Sequence, residues 1–313
     1  MKQNLKVSVC MITYGHEKYI REAIEGVLMQ ECDFEVELIL ANDCSPDQTN
    51  KIIQDVLENH PKKSWIKYFL HQKNIGMTPN FIFALGQCSG DYIAMCEGDD
   101  YWTDPFKLQK QVDFLEGNEE ATGCFHHASF VNEKGKIINE VYNPQISNFE
   151  FYNQEQCLTI LGSSYATCSL VFRSIALKDC PKILMSQFCD ELLDIVITEK
   201  GLLYFLNFNS ACYRFHSGGV WSGSQTIKFK IIMYMRTEVL YKVSTYKKRY
   251  SSYFKKRFFL LAQEFVYSNA IKRKIRLAYF FKTLKYLDYF NIKTYNFIFN
   301  FCVNIIVIQK IFK

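Results

Sequence analysis

No C-x-x-C pair, no G-x-x-x-x-G-K-[ST] loop, no G-x-G-x-x-G after the opening strand and no G-x-S-x-G elbow occurs in the 313 residues. These absences exclude a P-loop phosphate cradle, a dinucleotide fingerprint and an α/β-hydrolase nucleophile. His16-Glu17 opens like a zinc-protease motif, but Ile20 stands where the second histidine would have to be. His126 and His127 are adjacent, so a strand would point them to opposite faces, and neither is taken as a ligand. The twelve cysteines sit singly, several on apolar stretches (Cys10, Cys96, Cys168, Cys302), the pattern of reduced buried thiols rather than of a disulfide framework. There is no internal repeat or low-complexity run, and the apolar stretch 296–308 is too short to span a bilayer. The opening residues lack an apolar h-region and a small-residue cleavage site, so the chain is expected to stay in the cytoplasm.

What is present is apolar bulk. With 49% hydrophobic and 16% aromatic residues the chain is globular, with one large core or one core plus a small appended unit. The net charge of +5 conceals a division. Residues 226–313 hold 19 Lys and Arg against 3 Asp and Glu, a balance of +16; subtraction from the totals of 37 and 32 leaves 18 against 29, or −11, before them. The two parts face different partners.

The apolar pattern alternates between strand and helix periods. Residues 7–13 form a short buried strand, and Tyr19, Ile20, Ala23, Ile24, Val27 and Leu28 recur at helical spacing. The unit repeats with a strand at 36–41, a turn at 42–47 and a helix face at Ile52, Ile53, Val56 and Leu57. Further strands are expected at 66–70 and 91–96, with a helix at 79–86 that carries Pro79 in its first turn. Such alternation implies an α/β fold with a mostly parallel, Rossmann-like sheet flanked by helices, which binds ligands at the carboxyl ends of its strands. After Pro105 a helix to about 116 is followed by strands at 123–131, 136–141, 166–172, 202–207 and 211–215, and by a helix at 190–200. This half, about 105–225, is expected to build the acceptor side against a donor half of about 1–104. Residues 226–313 form a basic, aromatic, helical C-terminal region.

Four constellations carry chemistry. Glu97-Gly98-Asp99-Asp100 follows an apolar run, and carboxylates crowded at a strand end either ligate Mg²⁺ or Mn²⁺ or form a solvated turn before the next helix. Asn42-Asp43 ends the second strand, where an acidic side chain can accept hydrogen bonds from a base or ribose; Asp47 suits the N-cap of the following helix. Asp190, near Glu191 and Asp194, can take a proton from an acceptor hydroxyl or simply cap its helix. In the run 213–219, His216 offers a nitrogen ligand, Arg214 a phosphate contact, and Gly218-Gly219 a closing loop or a plain turn.

In this order and spacing, these places resemble the inverting glycosyltransferases of family 2. The match covers roughly residues 5–222, through the runs 7–14 and 38–45, Asn74-Ile75-Gly76, and Gly90-Asp91-Tyr92-Ile93 leading into Glu97-Gly98-Asp99-Asp100. The resemblance implies the GT-A fold of nucleotide-diphospho-sugar transferases over 1–225 and metal-dependent transfer from a nucleotide sugar, UDP-linked for preference, to a hydroxyl of a glycan or lipid-linked saccharide. It implies donor-binding roles for Thr13, Tyr14, Glu17, Asp43, Asn74, Gly76 and Asp99, metal ligation by Asp99, Asp100 and His216, and Asp190 as catalytic base with Glu191 as its rival. A membrane-associated nucleotide-sugar binder that has lost catalysis is the alternative.

In the tail, cations and aromatics interleave in the runs 246–250 and 253–259, with a cationic run at 272–276. Such helices lie in a membrane interface with aromatics toward acyl chains, or pack on one another. The first choice would hold the chain at the cytoplasmic face of the inner membrane, near a lipid-linked acceptor. Nucleic acid is not expected as a partner, because no recognition fold is visible.

Overall fold

The computed structural model describes residues 5–161, 165–178, 180, 190–219, 227–267 and 273–286. The chain divides into two compact units, residues 1–219 and 220–313.

The first unit holds a ten-stranded sheet. Its opening half is β1 (Lys6–Thr13), α1 (Ile20–Leu28), β2 (Glu35–Asn42), α2 (Thr49–Asn59), β3 (Ile66–Leu70), α3 (Met77–Gln87) and β4 (Tyr92–Met95). β1, β2, β3 and β4 pair in parallel in the order β3-β2-β1-β4. β1, β2 and β4 are buried almost throughout, as strands covered on both faces are, whereas β3 at the edge is largely not. Ile20, Ala23, Ile24, Val27 and Leu28 are buried at the expected helical spacing, each large aliphatic one contributing roughly 1.5–3 kcal/mol through burial.

The rest comprises β5 (Tyr101–Trp102), α4 (Lys107–Gly117), β6 (Ala121–Asn132), β7 (Ile137–Asn139), β8 (Phe151–Tyr152), β9 (Val171–Arg173), α5 (Asp190–Ile197) and β10 (Leu202–Phe215). Here the sheet becomes mixed. β9 lies antiparallel between β4 and β6, β10 runs parallel to β6, and β5 closes the edge antiparallel to β10. The two strands expected at 202–207 and 211–215 are one strand with register shifts between Leu206 and Ala211, because bulges absorb the interruption without ending the pairing. The strand expected from 166 is a 3-10 turn at Thr167–Ser169 followed by β9.

The second unit is helical: α6 (Ile227–Lys242), α7 (Ser244–Arg249), α8 (Ser251–Tyr267) and α9 (Arg273–Leu284). Its interior is aromatic. Tyr234, Tyr246, Phe254 and Phe258 are buried, and Phe258 stacks on Tyr286 with ring centroids 4.0 Å apart. Glu238 is buried among them, bonded to Tyr286 Oη at 2.7 Å and Lys282 Nζ at 2.6 Å. Lys247, Lys248, Arg249, Lys255 and Lys256 are exposed. The aromatics expected to face acyl chains thus pack inward in good part, and the cations face out. No helix among the described residues is long and apolar enough to cross a membrane. The stretch 296–308 lies outside the described residues.

Candidate active site

Three strand ends assemble the site at the carboxyl edge of the parallel half-sheet. β1 ends at Thr13, β2 at Asn42 just before Asp43, and β4 runs through Cys96 into the turn 97–100. Asp43 N donates to Thr13 O at 3.0 Å and Gly98 N to Ile12 O at 3.0 Å, so the ladder itself holds the three ends together. Asp100 N closes the turn on Glu97 O at 3.2 Å. Gly98 is required there by close approach. A Cβ on it would stand 2.8 Å from Thr13 Oγ1 and 3.1 Å from His16 Nδ1.

The paired carboxylates of the turn have different fates. Asp99 points at His216, whose Nε2 lies 2.9 Å from Asp99 Oδ2, and His16 Nε2 stands 3.8 Å from the same oxygen. Burial alone would raise the Asp99 carboxyl; the His216 hydrogen bond and the charges of His16 and His216 outweigh it and hold Asp99 below the usual carboxylate value. Asp100 turns away into the sheet. Its Oδ1 accepts Arg214 N at 2.8 Å, and burial, with the charges of Asp99 and Glu97, pushes its carboxyl well above the usual value. Oδ1 of Asp100, expected as a metal ligand, joins β10 to the turn beside the pairing of β5 with β10.

Arg214, expected to be available to phosphate, is likewise consumed. Its guanidinium bonds Asp99 O at 3.0 Å, the carbonyls of Asn132 and Glu133, and the Glu22 carboxylate, and lies over the rings of Tyr19 and Tyr101. It acts as a buried rivet that delivers His216 to Asp99 across the intervening chain.

The residues expected to hold the donor lie at the ends of β1 and β2 and in the loops tied to them. Thr13 is buried and its Oγ1 has no hydrogen-bond partner. Asp43 Oδ1 accepts from Ile75 N at 2.7 Å and Oδ2 from Gly76 N at 2.9 Å, which ties the segment of Asn74 and Gly76 to the end of β2. Gly76 takes φ +92°, a conformation that favours glycine. Glu17 Oε2 accepts Gln48 N at 2.9 Å at the start of α2, while Asp47 accepts Glu17 N at 3.0 Å and Thr49 N at 3.0 Å. Glu17 and Asp47 thus cross-link two loops, and the N-cap of α2, expected at Asp47, is Gln48. Tyr14 and Asn74 are exposed.

In the sequence, His16 is marked only by the zinc-protease motif that Ile20 leaves incomplete. It sits in the loop after β1, where its carbonyl accepts Tyr19 N and Ile20 N, both at 2.9 Å, and so opens α1. One ligand atom from each of His16, Asp99 and His216 falls within 4.8 Å of the others. His16 Nδ1 and Thr13 Oγ1 are buried polar atoms without partners, and Asp99 is held as the anion. These residues suit a divalent cation.

Asp190 opens α5, as a base or a cap would, but its side chain and that of Glu191 lie outside the described residues. One turn on, Asp194 is buried and accepts the Tyr165 hydroxyl. His126 is buried against Ser210 and the carbonyl of His127, and burial, then the Lys107 charge, lowers it far below the ordinary histidine value.

A sequence model described as Glycosyl transferase family 2 matches residues 8–179. An uncharacterized protein of Mycobacterium tuberculosis strain H37Rv is 36% identical over 225 residues, 72% of this chain and 63% of that protein, so the chain spans somewhat under two thirds of that relative. The putative glycosyltransferase EpsE of Bacillus subtilis is 33% identical over 150 residues, covering 47% of this chain and 52% of that one. In three dimensions, the crystal structure of S. aureus TarS 1–349 in complex with UDP-GlcNAc is similar with TM-score 0.63 over 90% of this chain and 80% of that one, at 17% identity. TarS 1–349 in complex with UDP gives TM-score 0.59 over 90% of this chain and 81% of that one. The fold is the GT-A fold of such transferases, and the chain belongs to glycosyl transferase family 2.

Proposed function

We propose that the chain moves a sugar from a nucleoside diphosphate, for preference UDP, to an acceptor hydroxyl during assembly of a cell-surface polysaccharide or glycan. The observation that carries this is the convergence of Thr13, Asp43 and Asp99 on one sheet edge, with His216 brought against Asp99 at 2.9 Å. The bound UDP-GlcNAc and UDP named for TarS support a uridine diphosphate donor.

Thr13 offers its unpartnered hydroxyl, and Asp43 its remaining lone pairs, to the base and ribose. The tethered segment at Asn74 and Gly76 and the exposed Tyr14 border the same donor, and Glu17 fixes the loop that carries Tyr14. Asp99 and His216 hold Mn²⁺ or Mg²⁺, which supplies positive charge where the leaving diphosphate becomes more negative. Oδ1 of Asp100 is bonded to Arg214 N, so the assignment rests on Asp99 and His216. Asp190 takes the proton of the acceptor hydroxyl, whose oxygen attacks the anomeric carbon opposite the diphosphate, so configuration inverts in one displacement. Glu191 is the rival base. The exposed cations of the helical unit hold the protein peripherally at an anionic cytoplasmic membrane face, near a lipid-linked acceptor.

The test is UDP release from a panel of UDP-sugars. Slow release with Mn²⁺ or Mg²⁺, abolished by EDTA, is expected. Asp190→Asn should lower transfer by about 10²–10⁴-fold while sparing donor binding. Full transfer in that variant would move the base to Glu191. UDP binding without any turnover would sink the transferase reading in favour of a catalytically silent binder.

A further inference from the structure

The sequence sets His16 apart only through an incomplete zinc-protease motif that Ile20 breaks, yet the fold delivers it to Asp99. Its ring centroid lies 6.0 Å from that of His216, edge to face, and 6.4 Å from that of Tyr19, which itself packs 5.0 Å from His216. The two imidazoles therefore flank one carboxylate oxygen, at 3.8 Å and 2.9 Å.

Donor atoms held about 2.1 Å from one first-row ion stand about 3.0 Å apart at right angles and about 3.4 Å at the tetrahedral angle. The ligand atoms lie within 4.8 Å of one another, with 2.9 Å and 3.8 Å from Asp99 Oδ2 to the two imidazoles. His16 Nδ1 adds an independent sign of a ligand site, being buried with no hydrogen-bond partner beside the equally unpartnered Thr13 Oγ1. Gly98 leaves open the space between them that any Cβ would fill.

We propose that His16 is the third protein ligand of the divalent ion, beside Asp99 and His216, and that this pair of imidazoles makes the site prefer Mn²⁺ and its first-row neighbours over Mg²⁺. Magnesium demands oxygen donors and gives up water reluctantly, whereas neutral imidazole suits the first-row transition ions. Asp99 is the carboxylate of this set, and Oδ1 of Asp100 accepts Arg214 N. The proposal rests on the metal-assisted reading above for its purpose, but not for its test.

The experiment titrates the full chain with Mn²⁺ and no nucleotide, following loss of the free-ion EPR signal, with Mg²⁺ as competitor. The native chain should bind one Mn²⁺ that a tenfold excess of Mg²⁺, on the order of the selectivity expected of nitrogen ligands, fails to displace. His16→Ala should weaken Mn²⁺ by roughly tenfold or more. His16→Asp replaces nitrogen with oxygen and should still bind a cation, with the preference shifted toward Mg²⁺; circular dichroism confirms that each variant is folded. Unchanged Mn²⁺ affinity in folded His16→Ala, or equal competition by Mg²⁺ in the native chain, overturns the proposal. Turnover that needs metal but is indifferent to His16 would overturn this inference alone. Binding that depends on His16 without any turnover would support it and count against the transferase reading.

Discussion

Lys107 is wholly buried, its ammonium 2.7 Å from Gln111 Oε1 and 4.1 Å from the Trp102 ring centroid. Burial lowers its pKa from 10.5 to about 8, against the partial opposition of the nearby Cys96, Cys168 and Cys124. Between those two values the unfolded chain keeps a proton that the native chain gives up. The contribution of this residue to stability therefore rises with pH across that window, by about 3 kcal/mol in all. Below about pH 8 the ammonium penalty is present in full. Lys107→Met keeps the stem over Trp102 and removes the charge, but leaves Gln111 Oε1 without its donor, at a cost of about 1–3 kcal/mol. The offset between the two proteins is thus small, and their pH dependence is the signature. Urea unfolding at pH 7 and 10 should show the native chain gaining roughly 2–3 kcal/mol relative to the variant; parallel curves would mean that Lys107 is solvated. A lysine opening an amphipathic helix gives no sign of this in sequence, because lysine there ordinarily faces water. The same limit hid His16, whose neighbours in space, Asp99 and His216, are remote in the chain. Asp99 and His216 themselves were legible, through an acidic turn after an apolar strand and a histidine at a strand end. Which of the paired carboxylates turns inward was not, since it depends on the pairing of β5 with β10.

Between elements, one glycine shows where local propensity loses. Gly26 lies mid-α1, where alanine in an isolated helix would gain about 1 kcal/mol. Here a Cβ would stand 2.8 Å from Trp102 N and 3.0 Å from Trp102 O, backbone atoms of β5 that cannot rotate away. Forcing α1 off β5 costs roughly 1–3 kcal/mol. Since Trp102 follows Asp100 by two residues, the displacement should also reach the turn. Gly26→Ala is expected to lower the thermal midpoint and weaken Mn²⁺ binding together; a rise in midpoint would show that the helix has room to shift. The parallel half of the sheet was legible because each strand there is a short apolar run followed by an amphipathic helix. The antiparallel insertion of β9 and the two-residue β5 were not, because such short strands carry no periodicity and are fixed by partners distant in sequence.

Across the whole chain, the division of charge visible in the sequence corresponds to a division of packing. The helical unit keeps Tyr246, Tyr250, Phe254 and Phe258 in its interior, so these rings are already committed to protein and unavailable to acyl chains. Its exposed Lys247, Lys248, Arg249, Lys255 and Lys256 remain able to meet an anionic surface. Membrane attachment by this unit is therefore expected to be electrostatic and not insertive, worth about 1 kcal/mol per cation near the surface and screened within about 10 Å at 0.1 M salt. The full chain should co-sediment with phosphatidylserine vesicles at low salt and be released as salt rises. Replacing the exposed Lys248 and Lys256 by Gln should weaken retention while leaving the buried aromatic packing, and hence the unfolding midpoint, nearly unchanged. Phe254→Ala should do the reverse, lowering the midpoint through a loss of roughly 3–5 kcal/mol of stability, typical of an emptied aromatic site, before it affects retention. Retention that survives high salt would mean that apolar groups enter the bilayer after all, and failure to bind at low salt would detach the helical unit from any lipid role.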